Sequence, residues 1–186
     1  MTLIALYSPR PGCGKSTAAN HLRYTHGFTV RALAAPMRLM LAPLLNYAGQ
    51  DSSALTCDIR KEEPLSNFPY QLTPRHLMRT LGTEWGRTCC GPRFWTELWA
   101  NKVREDLLFG ADIVCDDLRF PEEYEACREL GAQIWQITRA NAKPASAHPS
   151  DGGLDGYDFD LTIENEGSLD GFKTLISSCA YPKAAA

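Results

Sequence analysis

An α/β fold, with a parallel sheet covered by helices on both faces, is what this sequence predicts on three observations. An apolar run, Leu3–Tyr7, leads into a Gly-rich loop, Ser8-Pro9-Arg10-Pro11-Gly12-Cys13-Gly14-Lys15-Ser16-Thr17, and then into a helical pattern. Short apolar runs alternate with helical patterns along the rest of the chain, which calls for βαβ units. A further apolar run, Ile113-Val114-Cys115, ends in Asp116-Asp117. Ligands of open parallel sheets lie beyond the carboxyl ends of the strands, and both polar motifs sit at such ends.

The elements follow in order. After the first strand, a helix is expected over 16–26 with Gly27 as its C-cap, then a short strand over 28–30. Residues 34–47 read as a helix with Met37, Met40, Leu41, Leu44 and Leu45 on one side, and Pro43 is expected to kink or split it. Residues 50–72 show no clean period and contain a charged cluster at 58–63, so a long functional loop is expected. Thr73-Pro74 is an N-cap with proline at the first helical position; that helix is predicted to run to about Cys89 and stop at Gly91-Pro92. The next helix, 94–109, offers Phe94, Leu98, Val103 and Leu107 as its buried positions. A strand at 112–115, a helix at 121–130 capped by Gly131, a strand at 132–138, a loop at 139–158, a strand at 159–163 and a helix at 169–178 behind Ser168 complete the chain, with a frayed tail over 180–186.

Bulk properties narrow the function. A chain of 186 residues is expected to form one domain. It has no apolar run of membrane-spanning length, and no signal peptide is expected at its start. Its seven cysteines form no C-x-x-C pair, which suits free thiols in a reducing cytoplasm. A net charge of −3 disfavours a grip on polymeric nucleic acid and favours small phosphorylated molecules. No membrane partner is expected, and a homodimer is left open.

The Gly-rich loop predicts a phosphate site. Glycines let successive backbone N–H groups turn toward an anion, and the helix N-terminus adds its own donors. Gly12, Cys13, Gly14, Lys15, Ser16 and Thr17 are the expected contacts of a triphosphate: Lys15 on its outer phosphates, the Ser16 hydroxyl on Mg²⁺. The pattern G-x-x-x-x-G-K-[ST] has Pro9 in place of its first glycine; Pro9 and Pro11 are taken to stiffen the entry. Asp116 and Asp117 are Walker B-like carboxylates. Asp116 is favoured for the metal, leaving Asp117 to pair with an arginine or to face an acceptor phosphate. The plain alternative is an acidic turn. Arg119 is placed to stabilise a phosphoryl group in flight, or else to pair with Glu122 or Glu123. Arg38, Arg60, Arg75, Arg79, Arg87 and Arg139 lie in or beside irregular segments and residue type alone assigns none of them. Small-molecule kinases of several kinds, one acting on dephospho-coenzyme A among them, a nucleotide-gated binding module with slow ATPase activity, and a polynucleotide 5′-kinase all fit these motifs.

One string is more specific. Leu81-Gly82-Thr83-Glu84-Trp85-Gly86-Arg87 resembles the L-G-T-E-W-G-R signature of phage-type deoxynucleoside monophosphate kinases. Ala35-Pro36-Met37-Arg38 resembles that family's P-[LM]-[KR] element. Residues 116–123 resemble its D-D-x-R-F-P-x-E element, and 163–169 its closing I-x-N-x-G-[ST]-L element. The resemblance implies a P-loop kinase three-layer fold with a mobile lid at 139–158 and an acceptor-side insertion at 50–72. It implies transfer of the ATP γ-phosphoryl group to a deoxynucleoside 5′-monophosphate, with Mg²⁺. Lys15, Asp117 and Arg119 are the catalytic candidates on their motifs, and the resemblance adds Arg139, at the start of a lid that closes on the phosphates. It implies Asn165, Gly167 and Ser168 around the adenine, and Arg38, Arg75, Trp85 and Arg87 at the acceptor. Trp85 has core packing as its alternative. In the lid, an H-x-S-E element reads His148-Pro149-Ser150-Asp151, with a shorter carboxylate arm at Asp151.

Overall fold

The computed structural model describes residues 1–57, 59–142 and 153–181. The chain divides into two compact units: Met1–Leu33 with Ala100–Ala186, and Ala34–Trp99.

The first unit is built on five parallel strands: β1 (Leu3–Tyr7), β2 (Thr29–Val30), β3 (Ile113–Cys115), β4 (Gln133–Thr138) and β5 (Leu161–Glu164). Their spatial order is β2-β3-β1-β4-β5. Leu3 lies opposite Ile113 in the β1–β3 pair, and Leu6 opposite Trp135 in the β1–β4 pair. All five residues of β1 are buried, as expected of a central parallel strand with both faces covered. The helices of this unit are α1 (Lys15–His26), α5 (Pro121–Glu129) and α6 (Leu169–Ala180), with the later part of α4 (Phe94–Leu108). One core cluster joins Ile4, Leu6, Leu22, Val114, Trp135, Ile137, Phe172 and Ile176. The order reverses at β1, with β3 on one side and β4 on the other, so the crevice at its carboxyl end is where a ligand is expected.

Long-range polar ties fix this scaffold. Arg128 on α5 donates to Asp160 at 2.6 Å and to the carbonyl of Asp158 at 3.0 Å, fastening α5 to the entry of β5. The Tyr7 ring stacks on Phe159 with centroids 5.2 Å apart. Between α1 and α6, His21 Nε2 and His26 Nε2 each lie 2.8 Å from the one hydroxyl of Ser177. Thr25 Oγ1 lies 3.2 Å from His21 Nδ1 on the other side of that ring. Burial first, then the charges of His26 and Lys173, lower the His21 pKa below its ordinary 6.5. The folded state therefore binds this proton less readily than the unfolded chain. Stability from the clasp is present in full above about pH 6.5 and is lost as pH falls below it. Thermal unfolding should show Tm dropping between about pH 7.5 and about pH 5, with a shallower drop in His21→Gln. Identical profiles would remove His21 from the clasp.

The second unit contains α2 (Ala35–Tyr47) and α3 (Pro74–Arg79) around a small core of Leu41, Leu45, Leu55 and Leu65. Pro43 does not split α2, which continues through it. Leu41 and Leu45, one on each side, are both buried in that core and anchor the two halves together. Among its described residues the stretch 50–72 is irregular, with single 3₁₀ turns at Ser52–Leu55 and Arg60–Glu62 and a tight turn at Pro69–Gln71 in which Tyr70 and Gln71 take left-handed angles.

The helix expected from Pro74 to about Cys89 is two helices of different pitch. After α3 the backbone widens into a π-helix, Thr80–Cys90. Its wider register shows in i→i+5 bonds: Thr88 Oγ1 donates to the Thr83 carbonyl at 3.1 Å, and the Gly91 N–H donates to the Gly86 carbonyl at 3.1 Å. The cause is tertiary. The buried Trp95 indole N–H donates to the Gly82 carbonyl at 3.0 Å, and a Cβ on Gly86 would overlap that same indole. The buried face of α4 is correspondingly rotated from the expected one. Val103 is buried as expected, but its buried neighbours are Trp95, Thr96, Trp99 and Ala100, while Leu98 is 44% exposed. Gly86→Ala should cost about 3 kcal/mol by overpacking in denaturant unfolding. Gly82→Ala, whose Cβ would meet only the flexible Met37 thioether at 3.0 Å, should cost much less. Equal costs would contradict this account of the π-helix.

Candidate functional site

The Gly-rich loop leaves β1 and turns into α1 through two residues in the left-handed region, Gly12 at φ 80 and Gly14 at φ 113. Only glycine takes such angles without strain. Gly14 is the N-cap of α1 and has no side chain to cap it. The first backbone bond of the helix runs from the Ala18 N–H to the Gly14 carbonyl at 2.9 Å. The amides of Lys15, Ser16 and Thr17 therefore precede the regular helical pattern, where an anion is the natural acceptor. Cys13 is buried in the core cluster and anchors the loop from below.

Lys15 folds back along the loop. Its ammonium donates to Ser8 Oγ, and the Ser8 hydroxyl donates to the Arg10 carbonyl at 2.8 Å. Burial, and second the like charge of Arg119, lower the Lys15 pKa; Asp116 and Asp117 act in the opposite sense. The segment after β3 is thus within electrostatic reach of the loop after β1, as the sheet order requires.

Asp117 Oδ1 accepts the Leu33 N–H at 2.6 Å, holding the backbone just before the second unit begins. Asp116 is half-buried beside it. Arg119 sits at the turn into α5. Its backbone N–H and that of Phe120 both donate to Glu123 Oε2, at 3.0 and 3.1 Å. Glu123 is therefore a capping residue that fixes the turn, rather than only a side-chain partner for Arg119. The D-D-x-R-F-P-x-E spacing matches such a turn, since the acid falls at the third helical position.

On the β4 side of the loop a cleft of about 540 Å³ is lined by Pro9, Arg10 and Cys13, by Thr138, Arg139 and Ala140 after β4, and by Glu164 and Glu166 at the end of β5. That volume is of the size of small-molecule sites. Glu166 accepts the Ala140 N–H, which ties the start of the 139–158 segment to the loop after β5. Asn165 reaches the Gly-rich loop itself, its side-chain amide donating to the Cys13 carbonyl at 2.9 Å. Ser168 uses its hydroxyl as the N-cap of α6, accepting the Gly171 N–H at 3.1 Å. Gly167 is exposed next to it. His148, Ser150 and Asp151 lie outside the described residues.

Of the residues expected at an acceptor, all four fall in the second unit. Arg38 is half-buried on α2, and Arg75 in the first turn of α3 pairs with Glu62. Arg87 is half-buried in the π-helix. Trp85 is 41% exposed and packs edge-on against Phe94 with centroids 5.5 Å apart, so it serves the aromatic cluster and still presents surface. Ser8, Glu123 and the side chain of Asn165 were not singled out for the bonds they make. Asn165 bridges positions that only the fold brings together, while Ser8 bonds within its own loop.

The comparisons fit this arrangement. Residues 60–176 match the sequence model of the family described as deoxynucleotide monophosphate kinase. A protein of Acanthamoeba polyphaga mimivirus, provisionally named for the same activity, is 27% identical over 96% of both chains. The deoxynucleotide monophosphate kinase of Enterobacteria phage T4 is 28% identical over 66% of this chain and 51% of its own length, and that of Escherichia phage RB69 is 29% identical over 58% and 45%. The chain thus spans about half the length of the two phage relatives. Among the described residues no helix is long and apolar enough to cross a membrane. By the match over well more than half its length, the chain belongs to the deoxynucleotide monophosphate kinase family.

Proposed function

We propose that the chain transfers the γ-phosphoryl group of ATP to the 5′-phosphate of a deoxynucleoside monophosphate, giving the diphosphate and ADP. The observation that carries this reading is Lys15 in the field of Arg119, Asp116 and Asp117 at the carboxyl edge of a parallel sheet, in a chain of this family. The donor triphosphate lies on the amides of 12–17, and its nucleoside occupies the cleft between Arg10, Arg139 and Glu166. Arg38, Arg75, Trp85 and Arg87 serve the acceptor. The chain works as one kinase domain in which 50–72 is the acceptor side and 139–158 the lid, in the cytoplasm, on small nucleotides.

The acceptor is already an anionic phosphate, so no strong base is needed. Catalysis consists of in-line positioning and charge neutralisation by Lys15, Arg119 and Arg139. Asp117 supports this by holding the backbone at Leu33. Ser16 and Asp116 offer a hydroxyl and a carboxylate, hard oxygen donors of the kind Mg²⁺ accepts beside phosphates. Bound there, Mg²⁺ would neutralise charge on the phosphate oxygens. Closure over Arg139 excludes water that would otherwise take the phosphoryl group.

A coupled ADP-release assay against each ribo- and deoxynucleoside monophosphate tests the reading. Release that depends on an added deoxynucleoside monophosphate is expected. Release indifferent to every monophosphate would contradict it.

A further inference from the structure

We infer that Asn165 is a positioning residue for the phosphate-binding loop: its side-chain amide sets the orientation of the Cys13–Gly14 peptide and so aims the Gly14 N–H at the donor phosphates. This rests on the proposed phosphate site and goes beyond it. Asn165 is 152 residues from Cys13 in sequence, yet donates to the Cys13 carbonyl at 2.9 Å. In a planar trans peptide the carbonyl and the next N–H point in opposite directions. A donor that holds the Cys13 carbonyl therefore turns the Gly14 N–H to the side away from Asn165.

Two further facts make the contact directional. Asn165 is itself fixed, because its backbone N–H donates to the Thr138 carbonyl at 2.8 Å and continues the β4–β5 pairing. The amide is also seated closely. A Cβ on Gly14 would stand 2.6 Å from Asn165 Nδ2 and 3.2 Å from the Phe172 ring. Glycine at this position thus answers to two demands, a φ of 113 and the space taken by Asn165 and Phe172. A side chain at the end of β5, beside the donor cleft, is in this way coupled to the loop after β1. The role differs from an adenine contact, in which Asn165 would touch the base.

The test separates these roles by probe. Wild type, Asn165→Ala and the near-isosteric Asn165→Leu are titrated by calorimetry with magnesium triphosphate, which has no base, and with adenosine, which has no phosphate. Both substitutions are neutral, so no new charge repels the probe. Triphosphate affinity should fall about 10- to 100-fold, the range for a lost bond to a charged group, with adenosine affinity within about twofold. KM for the donor should rise with KM for the acceptor unchanged. In the wild type, the Gly14 amide proton should shift downfield in NMR when triphosphate binds, a readout independent of how the variants fold. Variants that bind triphosphate as wild type does, a loss confined to adenosine, or a Gly14 amide that does not move would each overturn the inference. Failure of the wild type to take up triphosphate would instead overturn the phosphate site on which it rests.

Discussion

Replacing Lys15 by alanine is expected to lower kcat by about 10³-fold or more, with the fold retained. The loss follows from position. The ammonium is held at the loop by Ser8 and stands in the field of Arg119 and the two aspartates, where charge on a transferring phosphoryl group would be met. Removing one fixed donor of this kind costs about 10²–10³ in rate, and Lys15 also contributes a full charge. Stability should move the other way. Burial, and then Arg119, lower the Lys15 pKa, so the folded state holds this charge at a cost, and below the lysine range that cost opposes folding. Lys15→Ala, or the longer Lys15→Met, should therefore show an unchanged or raised Tm beside a collapsed kcat, the pattern of a site that trades stability for activity. A lowered Tm with nearly normal turnover would invert the account.

The second large effect is expected at Arg119. Arg119→Ala should lower kcat about 10³-fold, at the lower end of what arginines contribute to phosphoryl transfer, with a smaller change in donor KM. The turn that carries it should survive, because Glu123 grips the backbone N–H groups of Arg119 and Phe120. Arg119→Lys should restore only part of the rate, since an ammonium lacks the planar fork. Removing Arg119 also removes a like charge from Lys15, whose pKa should rise. Steady-state kinetics of the three proteins decide this, and equal rates in wild type and Arg119→Ala would exclude a catalytic role.

What was legible in the sequence, and what was not, divides along a physical line. Local rules placed the strands, α1, α5 and the cap residues Gly27, Thr73 and Ser168, because their signals lie within a few residues of the structure they produce. The Gly-rich loop was legible for the same reason: Gly12 and Gly14 take backbone angles open to few other residues. Val103 of α4 is buried as expected, but the first half of the helix was read on the wrong side because it is apolar on two sides. Phe94 and Leu98 share one spacing, Trp95 and Trp99 another, and only the pocket at Gly82 and Gly86 decides between them. The π-helix was illegible outright, since its cause is an indole from the next helix. At the site, residue types pointed to Lys15, Asp116, Asp117 and Arg119 together. The bonds from Asn165 to Cys13 and from Leu33 to Asp117 span 152 and 84 residues, and no local pattern encodes them.

The central claim is that the amides and lysine of 12–17 hold the triphosphate of a donor nucleotide. Calorimetry of the folded protein with magnesium ATP addresses it most directly. The account predicts saturable one-to-one uptake that Lys15→Ala weakens by at least about tenfold. No heat of binding in the wild type, or equal uptake by Lys15→Ala, would contradict it.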